Sequence, residues 1–246
     1  MSLKLRMDRM EHGAQFRAFV LRDHARTGAM DPVLGVDHAY MAGPTFPPHP
    51  HAGFSAVSYV FADAGTGLNN EDSIGTRNLI RPGGLHWTAA GRGIVHEEVP
   101  ADDGKVAHLF QIFVNLPAGK QSAPPFAISL EPENVPVIEA PGALIRVPLG
   151  EYGTAISPMN PPTQITLLDI RLEAEARLPV TIAANRNGFV IPVQGSVKIN
   201  GEEFTAEAPE APAFPASSAE QTILLEAGQE AAQAAVFSGV PIQFQE

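Results

Sequence analysis

Hydrophobic residues in this chain come in short runs separated by glycine and proline, and helical periodicity is weak throughout. Runs rich in valine, isoleucine, phenylalanine and tyrosine are typical of β-strands. The clearest predicted strands are residues 16–22, 54–61, 79–84, 86–89, 93–96, 107–115, 164–172, 188–195, 222–225 and 234–237. Residues 197–204 predict a hairpin because Asn200-Gly201 favours a tight turn. The pattern predicts an all-β protein made of sandwiches or barrels.

Three segments lack a clear strand pattern and are rich in turn residues. Residues 31–48 contain four prolines and two glycines, which predicts loop or edge structure. Residues 116–127 predict a linker, and residues 205–220 predict a surface loop. The 246 residues suit two β domains, so we expect a boundary near this linker, with domains at 1–120 and 121–246.

Composition and charge exclude several classes of function. The net charge is −11, and residues 121–246 hold 5 Lys+Arg against 15 Asp+Glu, so direct nucleic-acid binding is not expected. The chain contains no run of 18 apolar residues, which excludes a transmembrane helix. It begins without the pattern of a signal peptide, so we expect a soluble cytoplasmic protein. The absence of cysteine excludes disulfides, thiolate nucleophiles and cysteine-ligated metal sites.

The histidines indicate a metal site in the first half of the chain. All eight lie before residue 110: His12, His24, His38, His49, His51, His86, His96 and His108. Side chains two apart in a strand share a face, so His49 and His51 can converge on one point, as can His96 and Glu98. If these two strands are neighbours, the four side chains form a site for a divalent ion such as iron. The alternative is that they are ordinary polar residues on loops.

Several motifs in this region resemble the pirin family of the cupin superfamily. They are His49-Pro-His-Ala-Gly-Phe54, Glu71-Asp-Ser-Ile-Gly75, Arg81-Pro-Gly-Gly84, Trp87-Thr-Ala-Ala-Gly-Arg-Gly-Ile-Val-His-Glu-Glu98 and Phe113-Val-Asn-Leu-Pro117. The resemblance implies a bicupin: two stacked antiparallel β-barrel or β-sandwich (jelly-roll) domains with a few short helices. It also implies one Fe(II) ion held by His49, His51, His96 and Glu98 in the first domain, with a metal-free second domain. We expect Glu98 to act in catalysis, and the same ligands suit Mn, Ni, Cu or Zn.

The resemblance leaves two functions open. One is a quercetin 2,3-dioxygenase-type enzyme that acts on a flavonol-like or enolic small molecule. The other is a non-catalytic regulator that binds a protein partner and uses the oxidation state of iron as its signal. The chain departs from the family pattern at Ala52, at Ser55-Ala56 and at Asn70-Glu71, which are expected to lie near the opening of the metal site. Its C-terminal tail is also shorter than that of a typical pirin. We expect a monomer.

Other residues near the motif have two interpretations each. His86 is either beside the metal or substrate, or a hydrogen-bonded residue of the wall. Arg92 either binds a substrate carboxylate or anchors the loop, and the second role is favoured. Glu97 alternates outward from Glu98 and is expected in solvent, with a ligand role as the alternative. Trp87 is expected in the core. The remaining histidines, His12, His24, His38 and His108, are expected to be structural or exposed.

Overall fold

The computed structural model describes residues 2–23 and 27–242, and strands dominate this part of the chain. The strands of the first half are β1 (Leu3–His12), β2 (Phe16–Arg22), β3 (Val33–Met41), β4 (His49–His51), β5 (Phe54–Val60), β6 (Leu68–Asp72), β7 (Arg77–Ile80), β8 (Leu85–Ala89), β9 (Ile94–Pro100), β10 (Ala107–Asn115) and β11 (Phe126–Leu130). Short 3₁₀ helices span Ala118–Lys120 and Pro132–Asn134.

The second half continues the same all-β character. Its strands are β12 (Val137–Ala140), β13 (Ala143–Leu149), β14 (Glu151–Tyr152), β15 (Ala155–Ile156), β16 (Ile165–Leu172), β17 (Arg177–Ile182), β18 (Asn187–Gln194), β19 (Ser196–Ile199), β20 (Glu202–Thr205), β21 (Glu210–Phe214), β22 (Gln221–Ala227) and β23 (Ala232–Gly239). The predicted hairpin is present as β19 and β20, with Asn200 and Gly201 both at positive φ in its turn. No helix in the described ranges is long and apolar enough to cross a bilayer.

The strand order shows an internal repeat. Strands β3–β10 form a large sheet in the order β8-β5-β10-β3 and a small sheet in the order β4-β9-β6-β7. Strands β16–β23 repeat this as β21-β18-β23-β16 and β17-β22-β19-β20. Each set is an antiparallel eight-stranded double sheet, which we call the first and second jelly rolls. The all-β bicupin architecture expected from the sequence is confirmed.

Strand β1 joins the two large sheets into one. Its residues Met7 to His12 pair with β2, beside the first jelly roll, and its residues Leu3 to Arg6 pair with β21 of the second. Strand β11 lies beyond residue 120 but pairs with β8 of the first jelly roll. The division into domains at 1–120 and 121–246 stays a prediction.

The core lies mainly between the large sheets and inside the second jelly roll. Tyr59 and Trp87 of the first half pack with Phe189 and Phe237 of the second in the largest buried cluster, so the expectation for Trp87 is confirmed. Twenty buried hydrophobic residues fill the second jelly roll among the described residues, whereas nine form the cluster inside the first. The apolar cluster inside the first jelly roll is therefore the smaller one, and its interior also holds the buried polar residues His96 and Glu98.

Two loop predictions are wrong. Residues 31–48 contain β3, a buried strand between β2 and β10, and its turn residues mostly mark its ends. Gly35 lies within the strand because the Arg22 side chain occupies the place of a Cβ atom. Residues 205–220 contain β21, whose small buried alanines fit between β1 and β18. Pairing with strands distant in sequence decides both segments, and local composition cannot reveal it.

Candidate metal centre

Three imidazoles converge inside the first jelly roll. His49 and His51 lie on β4 and His96 lies on the neighbouring β9, with His49 directly opposite His96 in the antiparallel register. One ring nitrogen from each histidine lies within 4.8 Å of the other two. The ring centroids are 4.8 Å apart in all three pairs. The spacing of two within β4 and the pairing of β4 with β9 thus bring together three of the four side chains that the sequence predicts to converge.

The local chain holds β4 and β9 in place through two glycine turns. The Gly53 amide donates a hydrogen bond to the Gly91 carbonyl, at 2.7 Å, so the loop after β4 is tied to the loop before β9. Gly91 has φ +50°, and a Cβ atom there would lie 2.2 Å from the Ala123 carbonyl oxygen. Pro50 is tolerated between the histidines because β4 is an edge strand of the small sheet.

His51 and His96 are neutral and present lone pairs at neutral pH. Burial, followed by the neighbouring histidines, lowers the pKa of His51 to about 4 and that of His96 to about 3. His49 Nδ1 lies 3.0 Å from the Pro47 carbonyl oxygen, which can only accept, so Nδ1 carries the proton and Nε2 is free for a ligand role. This backbone hydrogen bond fixes the His49 tautomer.

Glu98 lies beside this group in a different environment. Both of its carboxylate oxygens accept hydrogen bonds from Ser58 Oγ, at 2.8 and 2.6 Å. Burial raises the pKa of Glu98 to about 7, because the serine hydroxyl only partly compensates for lost water. Glu98 lines the same cavity as the histidines but is not one of the three groups that converge within 4.8 Å. Its role as fourth ligand stays a prediction.

The arrangement of these residues fits a divalent cation. His51 Nε2 and His96 Nε2 are 3.0 Å apart, so without a cation one of them donates its N–H to the other, whereas a cation would accept both lone pairs. The buried Glu98 carboxylate has only a neutral donor as partner, and a cation would supply the missing charge. Imidazole and carboxylate ligands suit iron, nickel, copper and zinc. These three histidines can therefore hold a metal.

The histidines open into a mostly apolar cavity of about 270 Å³, which we call the metal cavity. Its apolar wall consists of Met10, Phe16, Ala39, Met41, Phe46, Leu109 and Phe113. Besides the candidate ligands, Asp37 and Gln111 are the polar residues of its lining among the described residues. Arg22 Nη1 donates to Asp37 Oδ1 at 2.6 Å. Asp37 was not expected at this site, because residues 31–48 were expected to be loop or edge structure. Gln111 lies directly opposite Asp37 on β10, which the sequence predicts as a strand without indicating its neighbours.

The residues that depart from the family pattern lie behind or outside this cavity. Ala52 is exposed, and Ser55 and Asn70 are buried. Asn70 lies opposite Glu98 on the neighbouring strand and donates to Asn78 Oδ1 at 3.0 Å. None of the three lines the metal cavity.

The remaining sequence candidates have structural environments. His86 is buried and its Nδ1 lies 2.8 Å from Ser129 Oγ, which supports the role of a wall residue. The Arg92 side chain is exposed, while its amide donates to the Ala123 carbonyl, and Glu97 is partly exposed. His12 is exposed, and His38 and His108 pair with each other. His24 lies outside the described residues.

Comparison with known sequences places the chain in a family. The sequence profile described as Pirin matches residues 2–114. A Pseudomonas aeruginosa protein named "Putative quercetin 2,3-dioxygenase PA3240" is 31% identical over 209 residues, covering 82% of this chain and 70% of that protein. The chain belongs to the pirin family. Human pirin is 31% identical over 192 residues, covering 78% of this pirin-family chain and 64% of the human protein.

Solved structures share the fold of this pirin-family chain. The quercetin 2,3-dioxygenase from Acinetobacter baumannii superposes with a TM-score of 0.84 at 22% identity, covering 98% of this chain and 80% of that one. The bacterial pirin YhhW from Escherichia coli, solved in complex with nickel(II), gives a TM-score of 0.74 at 18% identity, covering 98% and 100%. At these identities the likeness concerns the fold alone.

Proposed function

We propose that this pirin-family chain is a metal-dependent oxygenase of the quercetin 2,3-dioxygenase type, acting on a flavonol-like or enolic small molecule. One observation carries the proposal: three histidines converge at the wall of an apolar cavity. His49, His51, His96 and Glu98 are the proposed ligands, with Glu98 reached by a change of its side-chain rotamer away from Ser58.

Fe(II) is the proposed native metal. When bound, the ion supplies oxygen activation and polarises a chelating enol or phenol. Three imidazoles and one carboxylate leave about two positions of an octahedral ion for substrate and oxygen. The same ligands accept Mn, Ni, Cu or Zn, and the Escherichia coli pirin YhhW was solved in complex with nickel(II).

The chain itself selects and shields the substrate. The rings of Phe46 and Phe113 and the side chain of Leu109 line the cavity, which favours a flat apolar molecule over a sugar or a phosphate ester. Asp37 offers an acceptor for a hydroxyl group of such a molecule. Glu98, buried and with its pKa raised, is placed to take the proton of a bound enol.

Metal analysis and a flavonol assay test this proposal together. Protein made without chelators is expected to contain about one metal ion per chain. His51→Ala should lose most of this metal, whereas Glu97→Gln, next to His96 on β9 but partly exposed, should keep it. Quercetin is added anaerobically to the iron-loaded protein, and air is then admitted. We expect the flavonol absorbance to disappear with the unaltered chain and with Glu97→Gln.

The outcomes separate the site from the activity. Full metal content in His51→Ala would show that the site assignment is wrong. Bound iron with unchanged flavonol absorbance would show that the oxygenase proposal is wrong for flavonols while leaving the metal site intact.

One surface feature favours the non-catalytic alternative. Leu79 and Val95 are 44% and 41% exposed on the small sheet that carries the histidines, and Ile74, in the turn between β6 and β7, is 45% exposed. Val95 directly precedes His96 on β9, so a protein partner on this surface would contact the strand of a metal ligand. A regulator of this kind requires the surface to respond to the metal. Equal hydrogen exchange of β9 with Fe(II) and Fe(III) would contradict it.

A further inference from the structure

The second jelly roll contains a cavity of about 420 Å³ at the place that corresponds to the metal cavity. The metal cavity lies between β3, β10 and β4, whose counterparts in the repeat are β16, β23 and β17. The second cavity is lined by residues of these three counterpart strands, together with the β14–β15 hairpin and Arg186. We call it the Arg186 cavity. The repeated fold thus leaves an opening at the same place in both halves.

The Arg186 cavity has no metal ligands of the imidazole or thiolate kind. Residues 121–246 contain neither histidine nor cysteine. Strand β22, the counterpart of β9, carries buried Ile223 and Leu225 where β9 carries polar ligands. The floor of the cavity includes the buried side chains of Leu168, Val180 and Val236. An apolar ligand body therefore fits this cavity, and a metal ion does not.

The cation in this cavity is the Arg186 guanidinium, in the loop between β17 and β18. Its Nε donates to Ser238 Oγ at 3.2 Å, and its Nη2 donates to Thr166 Oγ1 at 3.2 Å and to the Ser238 carbonyl at 3.0 Å. Thr166 and Ser238 are opposite each other on β16 and β23, so the guanidinium lies across one cross-strand pair. These contacts orient the group and use three of its five N–H donors.

The charge of Arg186 lacks a direct counter-ion. All three of its acceptors are neutral, and no carboxylate of residues 2–23 or 27–242 forms an ion pair with it. Arg177, also in the second half, pairs with Glu226 at 2.9 Å. The two N–H donors of Nη1 remain for a ligand, and partial burial strengthens a hydrogen bond from them to an anion. Glu151 also lines the cavity, and its charge partly offsets that of Arg186, so it disfavours a ligand with more than one negative charge.

We propose that the second jelly roll binds a small monocarboxylate with an apolar body, whose carboxylate accepts hydrogen bonds from Nη1 of Arg186. The apolar chain or ring lies along Leu168, Val180 and Val236. This site is separate from the metal centre and does not depend on the proposed oxygenase activity.

Calorimetric titration of the full metal-loaded chain tests the site with octanoate and phenylpropionate, and with octanamide as a neutral counterpart. We expect one octanoate or phenylpropionate per chain, and octanamide should bind at least about tenfold more weakly because it lacks the charge. Arg186→Gln should weaken octanoate binding by a similar factor. Arg177→Gln, a matched loss of charge outside the cavity, should leave it unchanged.

Octanoate titrations of further variants show which cavity binds the carboxylate. Octanoate affinity should be unchanged in His51→Ala, because the metal cavity is not involved. Arg186→Lys keeps the charge and should recover part of the affinity lost in Arg186→Gln. The proposal is overturned if neither carboxylate binds at millimolar concentration, if octanamide binds as well as octanoate, or if His51→Ala abolishes binding while Arg186→Gln does not. The octanamide comparison uses the unaltered chain, so it decides even if a variant fails to fold.

Discussion

His38 should make the stability of this protein sensitive to mild acid. Its ring is 1% exposed, between the aromatic rings of Phe61 and Phe110, and its Nε2 lies 2.7 Å from His108 Nε2. Its Nδ1 has no hydrogen-bond partner among the described residues. Burial, followed by the charges of His108 and Arg17, lowers the pKa of His38 to about 3. The folded chain therefore resists protonation at a site that is easily protonated once the chain unfolds.

The size of the effect follows from the two pKa values. In the unfolded chain His38 has a pKa of about 6.5, so between that pH and about 3 the unfolded state binds one more proton at this residue than the folded state. The free energy of unfolding falls by about 1.4 kcal/mol per pH unit in this range. Between about pH 7.5 and pH 4.5 the contribution of His38 is roughly 2.5 kcal/mol.

The test compares the stability of the unaltered protein and of His38→Gln at the two pH values. Glutamine does not titrate and keeps a polar atom near His108. Between pH 7.5 and pH 4.5 the free energy of unfolding of His38→Gln should therefore fall by roughly 2.5 kcal/mol less than that of the unaltered protein, or about 5–10 °C less in Tm for a chain of this size. Denaturant unfolding at the two pH values measures the free energy of unfolding of each protein. The titration of the metal-site histidines is common to both proteins, so it cancels when their pH dependences are subtracted. His12→Gln, at an exposed histidine, is the control. Equal pH dependence in the unaltered chain and His38→Gln would refute the reasoning.

Two further substitutions probe stability. Tyr59→Phe removes the hydroxyl that donates to buried Asp169 at 2.7 Å. The substitution should lower the free energy of unfolding, measured with denaturant, by about 1–3 kcal/mol. No measurable decrease would mean that this hydrogen bond does not stabilise the fold. Gly91→Ala places a Cβ 2.2 Å from the Ala123 carbonyl oxygen and should lower Tm. Gly119→Ala is the control, because a Cβ at Gly119 enters open space and should not lower Tm. Equal Tm values for the two variants would contradict the steric argument.

The metal centre was predictable to the extent that it depends on local spacing. His49 and His51 converge because strand side chains alternate, and this requires only a three-residue strand. The pairing of β4 with β9 is less local: the spacing of the residues left it open, and the family resemblance implied it by assigning residues of both segments to one metal. The orientation of Glu98 toward Ser58 was not predictable, since Ser58 reaches it from the opposite sheet. Asp37 was missed because local composition predicted loop or edge structure for the segment that forms β3.

Three features could be read from the amino-acid sequence: the all-β class, the confinement of histidines to the first half and the spacing of two between His49 and His51. These follow from composition and from a period of two, which are local properties of the chain. Only the folded chain shows that His96 joins the two histidines of β4, that β3 and β21 are buried strands, that β1 joins the two large sheets and that Arg186 and Glu151 line one cavity. Each of these depends on contacts between distant segments, because the hydrogen bonds and burial of one strand are supplied by its neighbours in the sheet.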